Sequence, residues 1–100
     1  MTDSELTTRY RLYVGETGPE DAPRIARLLR DVAHVDGATL IPAVGVWEGE
    51  IESSTIVEII GRENWLLNAR YVAHVLAHAF DQDCVLLTVD RLARPAEFRK

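Results

Sequence analysis

Cysteine is nearly absent from this chain of 100 residues, which carries only Cys84. A single cysteine cannot form an intramolecular disulfide, so the composition excludes a disulfide-stapled secreted scaffold. The apolar stretches are too short to span a bilayer, and the polar, acidic start lacks the basic residues and apolar run of a signal peptide. We therefore expect a cytoplasmic protein without a membrane partner.

Positive charge is also scarce and scattered. Eleven Lys and Arg residues are outnumbered by sixteen Asp and Glu residues, and the net charge is -5. Without a run of basic residues the chain has no electrostatic footprint for a phosphate backbone, so we expect no nucleic-acid partner. Arg24, Arg27 and Arg30 recur at helical spacing. Because Glu20 and Asp31 lie beside them, this pattern favours a solvated surface.

A phosphate-binding loop is missing as well. Residues 15–20 read GETGPE, which lacks the glycine spacing and the lysine of a P-loop. No other segment predicts a nucleotide site, so we expect no cofactor.

The composition that remains is typical of one globular domain over residues 1–100. Residues of the hydrophobic set make up 47% of the chain and charged residues 27%. Near the start, Tyr10, Leu12 and Val14 alternate with polar neighbours, which indicates a strand with one buried face. So small a domain leaves much of its surface unburied, and association of copies is one way to gain core.

Six elements are predicted in the order β-α-β-β-α-β. This order is typical of a ferredoxin-like α+β sandwich, in which a four-stranded antiparallel sheet carries two helices on one face. Residues 1–7 and 94–100 are predicted to be loose termini. The apolar run from Cys84 to Val89 predicts a central strand with a buried thiol. The predicted strands are 8–15, 38–47, 51–60 and 84–91, and the predicted helices are 20–34 and 64–80.

The third predicted strand is apolar on both faces. Val57 and Ile59 face one way, and Ile56 and Ile60 face the other. Such a strand needs cover on both sides, whereas the two helices cover only one. We therefore expect a second copy to cover the other side, with Trp47 at the hairpin tip as an interface anchor.

Acidic residues crowd the same hairpin, at Glu48, Glu50, Glu52 and Glu58. Paired carboxylates can perform acid–base chemistry, but acidic residues at a hairpin tip more often keep a free edge soluble. Glu58 lies inside an apolar strand, so we expect it to pair with Arg62 or with an arginine of another subunit.

Two histidines form a weak alternative as a metal site. His74 and His78 are four residues apart on the second predicted helix, and two imidazoles at this spacing can bind zinc. Val75 stands where a zinc protease has its glutamate, and no third ligand is nearby in sequence. The first expectation is therefore that no metal binds here.

Aromatic residues leave an enzymatic alternative open. Tyr10, Tyr13, Asn64 and Trp65 could line a pocket between the sheet and the helices. Cofactor-free oxygenases built as dimeric ferredoxin-like barrels use aromatic pockets of this kind. A small cofactor-free enzyme is thus the alternative to a protein without catalysis of its own.

The hairpin resembles the tip motif of the CutA family, small ferredoxin-like trimers related in shape to the PII signalling proteins. Trp47, Gly49, Ile51 and Glu52 match a Trp-x-Gly-x-Ile-Glu pattern, and residues 56–60 follow as its apolar third strand. The resemblance implies three copies, with two copies packed face to face as the alternative. It does not extend to the family's metal chemistry, because the family's Ala-Cys-Val-Asn is replaced here by Asp-Gly-Ala-Thr. The implied interface residues are Trp47, Gly49, Ile51, Glu52, Ile56 and Glu58.

A second resemblance rests on Gly45, Trp47, Gly49 and Glu52, followed by the Gln-Asp-x-Val run that starts at Gln82. It is similar to small uncharacterised proteins encoded by phages, plasmids and actinobacteria, which implies an accessory role. We therefore expect a small homo-oligomeric binding or regulatory protein without its own catalysis. Its partners would be further copies of itself, with a protein or a small ligand at the clefts between subunits.

Overall fold

The computed structural model describes residues 6–93, and within them it confirms the predicted order of elements. The elements are β1 (Thr8–Gly15), α1 (Ala22–Arg27), β2 (Thr39–Trp47), β3 (Glu50–Gly61), α2 (Leu66–Ala79) and β4 (Leu86–Arg91). Helix α1 is preceded by a 3-10 turn at Pro19–Asp21 and continues into a π turn at Leu28–Val32. Helix α2 is preceded by a 3-10 turn at Glu63–Trp65.

The four strands form one antiparallel sheet in the order β2-β3-β1-β4. β3 is the longest strand, and it pairs with β1 along one side and with β2 along the other. β4 joins the free side of β1, where Tyr13 lies opposite Leu86. This topology, with both helices on one face, confirms the predicted ferredoxin-like α+β fold.

The core lies between the sheet and the helices. Because side chains alternate along a strand, every second residue of β1 and β3 points toward the helices, and the intervening residues line the opposite face. That opposite face, which we call the open face, has no cover among residues 6–93. The buried core consists of Tyr10, Leu12, Val14, Ile25, Leu29, Val57, Ile59, Ala69, Val72 and Leu76.

The first helical segment is less regular than the predicted helix over 20–34. The side chain of Asp21 accepts a hydrogen bond from the Gly18 N–H at 2.8 Å, which ties the start of the segment to the preceding loop. Further on, Ala33 N–H donates to the Leu28 carbonyl five residues back, which widens the last turn. The structure therefore divides the predicted helix into a 3-10, an α and a π piece.

The predicted central position of the last strand is wrong. β4 lies at the edge of the sheet, and Cys84 is exposed and precedes it. The apolar run has a different cause: Leu87 faces the helices, whereas Leu86 lies on the open face and is 60% exposed. Apolar residues on both faces thus reflect the uncovered open face and not a central strand.

The ends of the described region are fastened to the sheet. Thr7, which was predicted to be loose, donates its N–H to the Gly61 carbonyl and accepts from the Leu92 N–H at 2.8 Å. The rest of the predicted loose termini, residues 1–5 and 94–100, lies outside the described residues. Within residues 6–93 no helix is long and apolar enough to cross a membrane.

Candidate functional site

The sheet narrows to two strands at one end. β1 ends opposite Ser54, so residues 44–53 continue as a two-stranded ribbon, which we call the arm. The arm is closed by a two-residue turn in which Glu48 and Gly49 both have positive φ, at 50° and 82°. This is the pattern of a type I′ turn, whose twist suits a hairpin.

The arm exposes large apolar side chains on both of its faces. Val44, Val46 and Ile51 point toward the helix side but lie beyond the reach of α1 and α2, and they are 75%, 72% and 78% exposed. Trp47 points to the other side and is 63% exposed. A cluster of this kind on a small protein marks a surface that another molecule covers.

The open face carries an ion pair at its centre. The Arg11 Nε lies 2.8 Å from a carboxylate oxygen of Glu58, directly across the β1–β3 pair. The hydrogen bond that Arg11 donates to Glu58, helped by Tyr13, raises the pKa of Arg11 above its usual value. The sequence suggested a partner such as Arg62 or an arginine of another subunit for Glu58, whereas β1 of the same chain supplies Arg11. The surrounding apolar residues of this face are Tyr13, Ile41, Ile56, Ile60 and Leu86.

The Glu52 carboxylate, which has no partner among the described residues, lies where the arm joins the sheet. Glu52 Oε1 and Gln82 Oε1 lie 2.6 and 3.3 Å from the position that a Cβ on Gly15 would occupy. Gln82 uses its amide nitrogen to donate to the carbonyls of Gly15 and Phe80, at 3.0 and 3.4 Å. Glu52 makes no hydrogen bond or ion pair within residues 6–93. Two oxygen acceptors therefore converge over Gly15, an arrangement that suits a cationic or N–H-bearing ligand.

The loop beside this group is held by a buried pair of threonines. Thr17 Oγ1 lies 2.8 Å from both the Val14 carbonyl oxygen and Thr55 Oγ1, and both threonines are buried. A hydroxyl has one proton, so one of these two bonds takes its proton from Thr55. This pair fixes the loop that carries Gly15 against β3, next to the side chains of Glu52 and Gln82.

Of the four residues of the predicted aromatic pocket, the structure brings together Tyr10 and Trp65 but not Tyr13 and Asn64. Tyr10 is fully buried on the helix side and meets Trp65 edge to face, with ring centroids 5.6 Å apart. Its hydroxyl donates to the Arg62 carbonyl at 2.5 Å. Tyr13 lies on the open face, on the other side of the sheet, and Asn64 is exposed in the 3-10 turn before α2.

A cavity of about 230 Å³ opens between α1 and β2. Its polar groups are few, and Arg30 is already engaged with Asp31 at 2.6 Å. The volume is below the range of roughly 300–1,000 Å³ that is typical of small-molecule pockets. The lining residues are Ala26, Leu29, Arg30, Val35, Asp36, Gly37, Ala38 and Leu40.

The histidines of the weak metal alternative lie side by side on the surface. His74 and His78 are both exposed, and their rings stack with centroids 6.5 Å apart. No group of three or more potential metal ligands is found within residues 6–93. The structure thus offers two imidazoles and no third ligand near them.

The predicted interface residues divide between the arm and the open face. Gly49 closes the turn, Trp47 and Ile51 are exposed on the arm, and Ile56 and Glu58 lie on the open face.

The sequence did not predict that Arg11 pairs with Glu58, or that Gly15 and Gln82 lie beside Glu52, although the second resemblance contains both Glu52 and Gln82. For Arg11 and Gly15 the signal is sheet register, which pairs Arg11 with Glu58 and places Gly15 beside the root of the arm.

No protein-family model matches the chain, and no functionally characterised protein matches its sequence. Solved structures match its fold. A phage SAM lyase in its apo state aligns over 94% of this chain and 93% of its own, with 18% identity and a TM-score of 0.70. A DUF3240 family protein from Shewanella baltica OS155 aligns over 93% and 98%, with 11% identity and a TM-score of 0.64.

A CutA protein also matches the fold. The periplasmic divalent cation tolerance protein CutA from Archaeoglobus fulgidus aligns over 89% of this chain and 88% of its own, with 18% identity and a TM-score of 0.55. The resemblance to CutA is thus confirmed at the level of fold. At these identities the comparisons establish a shared architecture over nearly the whole chain, and they assign no activity to it.

Proposed function

We propose that this chain is a small self-associating protein and that the arm is its assembly element. The observation that carries the proposal is the exposure of Val44, Val46, Trp47 and Ile51, each between 63% and 78%. Residues 6–93 contain nothing that buries them, since the two helices cover only the wide part of the sheet. A second copy offers an equivalent apolar surface and the open face around the Arg11–Glu58 pair.

The gain from covering the arm is large for so small a protein. Trp47 exposes 63% of its surface, which is roughly 125 Å² if a tryptophan presents about 200 Å². At about 25 cal/mol per Å², burial of this area is worth about 3 kcal/mol per copy. The three aliphatic residues add further stabilisation, offset by the entropy lost on association.

Light scattering tests this proposal. The wild-type chain should have the mass of two or more copies. Trp47→Asp should give a monomer, because the interface would then bury an unpaired carboxylate. Leu67→Asp is the matched control, since Leu67 is 75% exposed on α2 and lies off the arm. A monomeric wild type, or a Trp47→Asp variant of unchanged mass, contradicts the proposal.

A second candidate function is lyase activity on S-adenosylmethionine. Two observations favour it: the fold match to a phage SAM lyase covers 94% of the chain, and the Glu52 carboxylate has no cationic partner within residues 6–93. S-adenosylmethionine carries a sulfonium cation and an ammonium group, which are the charges that an unpaired carboxylate attracts. In this reading the assembly places the ligand at the root of the arm, between Glu52 and Gln82.

The chemistry of such a lyase requires neither water nor a cofactor. A carbon–sulfur bond of the sulfonium breaks, and its electron pair stays on sulfur, which becomes a neutral thioether. The carbon fragment then closes on its own carboxylate or loses a proton to a base. The chain's residues would bind and orient the substrate, and Glu52 would hold the cationic part in place.

Incubation with S-adenosylmethionine, followed by liquid chromatography and mass spectrometry, tests this second candidate. The wild type should produce an adenosine-containing thioether, and Glu52→Gln should abolish both binding and product. Glu50→Gln removes the same charge from an exposed neighbour on the arm and should leave both unchanged. If the assembled wild type neither binds nor cleaves the compound, the reading as a protein without its own catalysis stands.

A further inference from the structure

The free edge of the sheet on the β2 side has a definite hydrogen-bonding pattern. Leu92 N–H donates to the Thr7 carbonyl at 2.8 Å, so the Thr7 carbonyl points from β1 toward β4. In an antiparallel ladder, bonded and non-bonded pairs alternate. Val14 is an odd number of residues along β1 from Thr7, so its N–H and C=O point the other way, toward its β3 partner Thr55. The N–H and C=O of Thr55 therefore point toward β1 and away from β2.

Pro42 therefore points outward. It lies opposite Thr55, so its nitrogen and carbonyl face the free edge, as do those of Val44 and Val46 two and four residues further on. The two-residue turn after Trp47 leads to the same assignment. Such a turn closes on a hydrogen-bonded pair, here Trp47 and Glu50, and every second residue before Trp47 then bonds to β3 while the residues between them face the free edge. Proline has no N–H to offer, so a neighbouring strand cannot continue past it. The outer part of β2, from Ala43 to Trp47, is the only stretch beyond Pro42 that another strand can join along this edge.

The side chains of this stretch are complementary to themselves. If a second copy lies antiparallel with Gly45 facing Gly45, each Val44 stands opposite a Val46, and each Trp47 stands opposite an Ala43. Small residues at 43 and 45 leave room for the two indole rings on one face. A Cβ placed on Gly45 would meet nothing within 4 Å, so the face of β2 on which the indole rings lie is open at this position.

We infer that Ala43–Trp47 of β2 pairs with the same segment of a second copy about a two-fold axis at Gly45, and that Pro42 ends the pairing. Val44 of each copy then forms two backbone N–H···O=C hydrogen bonds with Val46 of the other copy. Ile51 joins the valines on the helix side, and the two sheets become continuous. This inference rests on the proposed self-association and adds to it the partner strand and its register.

Disulfide trapping tests the register. In a Cys84→Ser background, Gly45→Cys should form a covalent dimer readily, because facing residues of a non-bonded pair have Cα atoms about 4.5 Å apart. Disulfides require about 4.4–6.8 Å. Val44→Cys is the control: in this register its nearest counterpart is Val46, so two copies of the variant should not cross-link.

Light scattering of the unmodified protein separates the possible results. An even number of copies together with cross-linking of Gly45→Cys supports the two-fold pairing. Three copies, or an oligomer whose Gly45→Cys variant stays uncross-linked, overturns the pairing and leaves self-association standing. The free edge of β4 or the open face would then be the contact. A monomer overturns both proposals.

Hydrogen exchange on the wild-type chain does not depend on any variant folding. The amides of Val44 and Val46 should exchange slowly at high protein concentration and become at least tenfold faster on dilution to the monomer. The amide of Leu40, on the same edge but before Pro42, should exchange fast at both concentrations. Fast exchange of Val44 and Val46 in the concentrated oligomer overturns the inference.

Discussion

In the threonine pair beside the root of the arm, a second substitution should restore part of the stability that the first one removes. In Thr17→Val, the hydroxyl that touches both Val14 and Thr55 is replaced by a methyl group of similar size. The Thr55 hydroxyl then remains buried without a partner, which costs about 2 kcal/mol. Loss of the bond to the Val14 carbonyl adds about 1 kcal/mol, because that carbonyl keeps its place in the ladder. We therefore expect Thr17→Val to lose about 3 kcal/mol of unfolding free energy.

A second substitution should restore part of this loss. In the Thr17→Val, Thr55→Val double variant no buried hydroxyl is left unpaired, so only about 1 kcal/mol should remain lost. For a domain of this size the recovered 2 kcal/mol corresponds to a rise in Tm of roughly 8–16 °C relative to Thr17→Val alone.

The assay is urea unfolding followed by circular dichroism, at one fixed protein concentration because association shifts apparent stability. The single variant Thr55→Val is the control and should lose no more than about 1 kcal/mol, since Thr17 keeps its bond to Val14. A double variant that is less stable than Thr17→Val would refute the reasoning, because the two substitutions would then add as independent defects.

Three further predictions concern other parts of the molecule. Tyr10→Phe removes the hydroxyl that donates to the Arg62 carbonyl and should lower the unfolding free energy by about 1 kcal/mol, measured by thermal or urea unfolding; an unchanged stability contradicts this. The hydrogen bond from Arg30 lowers the pKa of Asp31 below its usual value of 3.8, so this pair stabilises the fold above that value and the contribution is lost as the pH falls below it. Asp31→Asn should therefore flatten the acid side of the stability profile below pH 4, by a small amount because both side chains are exposed; an unaltered profile speaks against the ion pair. Zinc titrated by calorimetry should show no stoichiometric site, and a tight one-per-chain isotherm that disappears in a His74→Ala, His78→Ala variant would prove this prediction wrong.

Local patterns were enough to predict the fold. The alternation at Tyr10, Leu12 and Val14 located β1 over its full length, and the apolar spacing of α2 placed that helix to within two residues. The order of elements then left few ways to arrange four strands and two helices. The position of β4 could not be predicted in this way. Its apolar run is typical of a central strand, and only the strand pairing shows that the apolar side chain of Leu86 lies on the open face.

The candidate site was only partly predictable. Trp47 and Ile51 could be recognised because a tip residue has nothing in its own domain to bury it. The partners of Glu52 and Glu58 depend on which residues face each other across strands that are distant in sequence, as Arg11 does with Glu58. A one-residue change in register would replace every one of these neighbours, so no local pattern could have named them.

The placement of β1 between β3 and β4 has a consequence for how the chain folds. The hairpin of β2 and β3 closes on its own short turn and can form within microseconds. By contrast, Arg9 meets Asp90 across 81 residues of sequence, so the last edge of the sheet requires a long loop to close, which slows folding. During synthesis β4 emerges near the end, and until then β1 presents an unpaired edge beside a finished hairpin. A chain cut before β4 should therefore remain prone to aggregation, even though most of its core residues are already present.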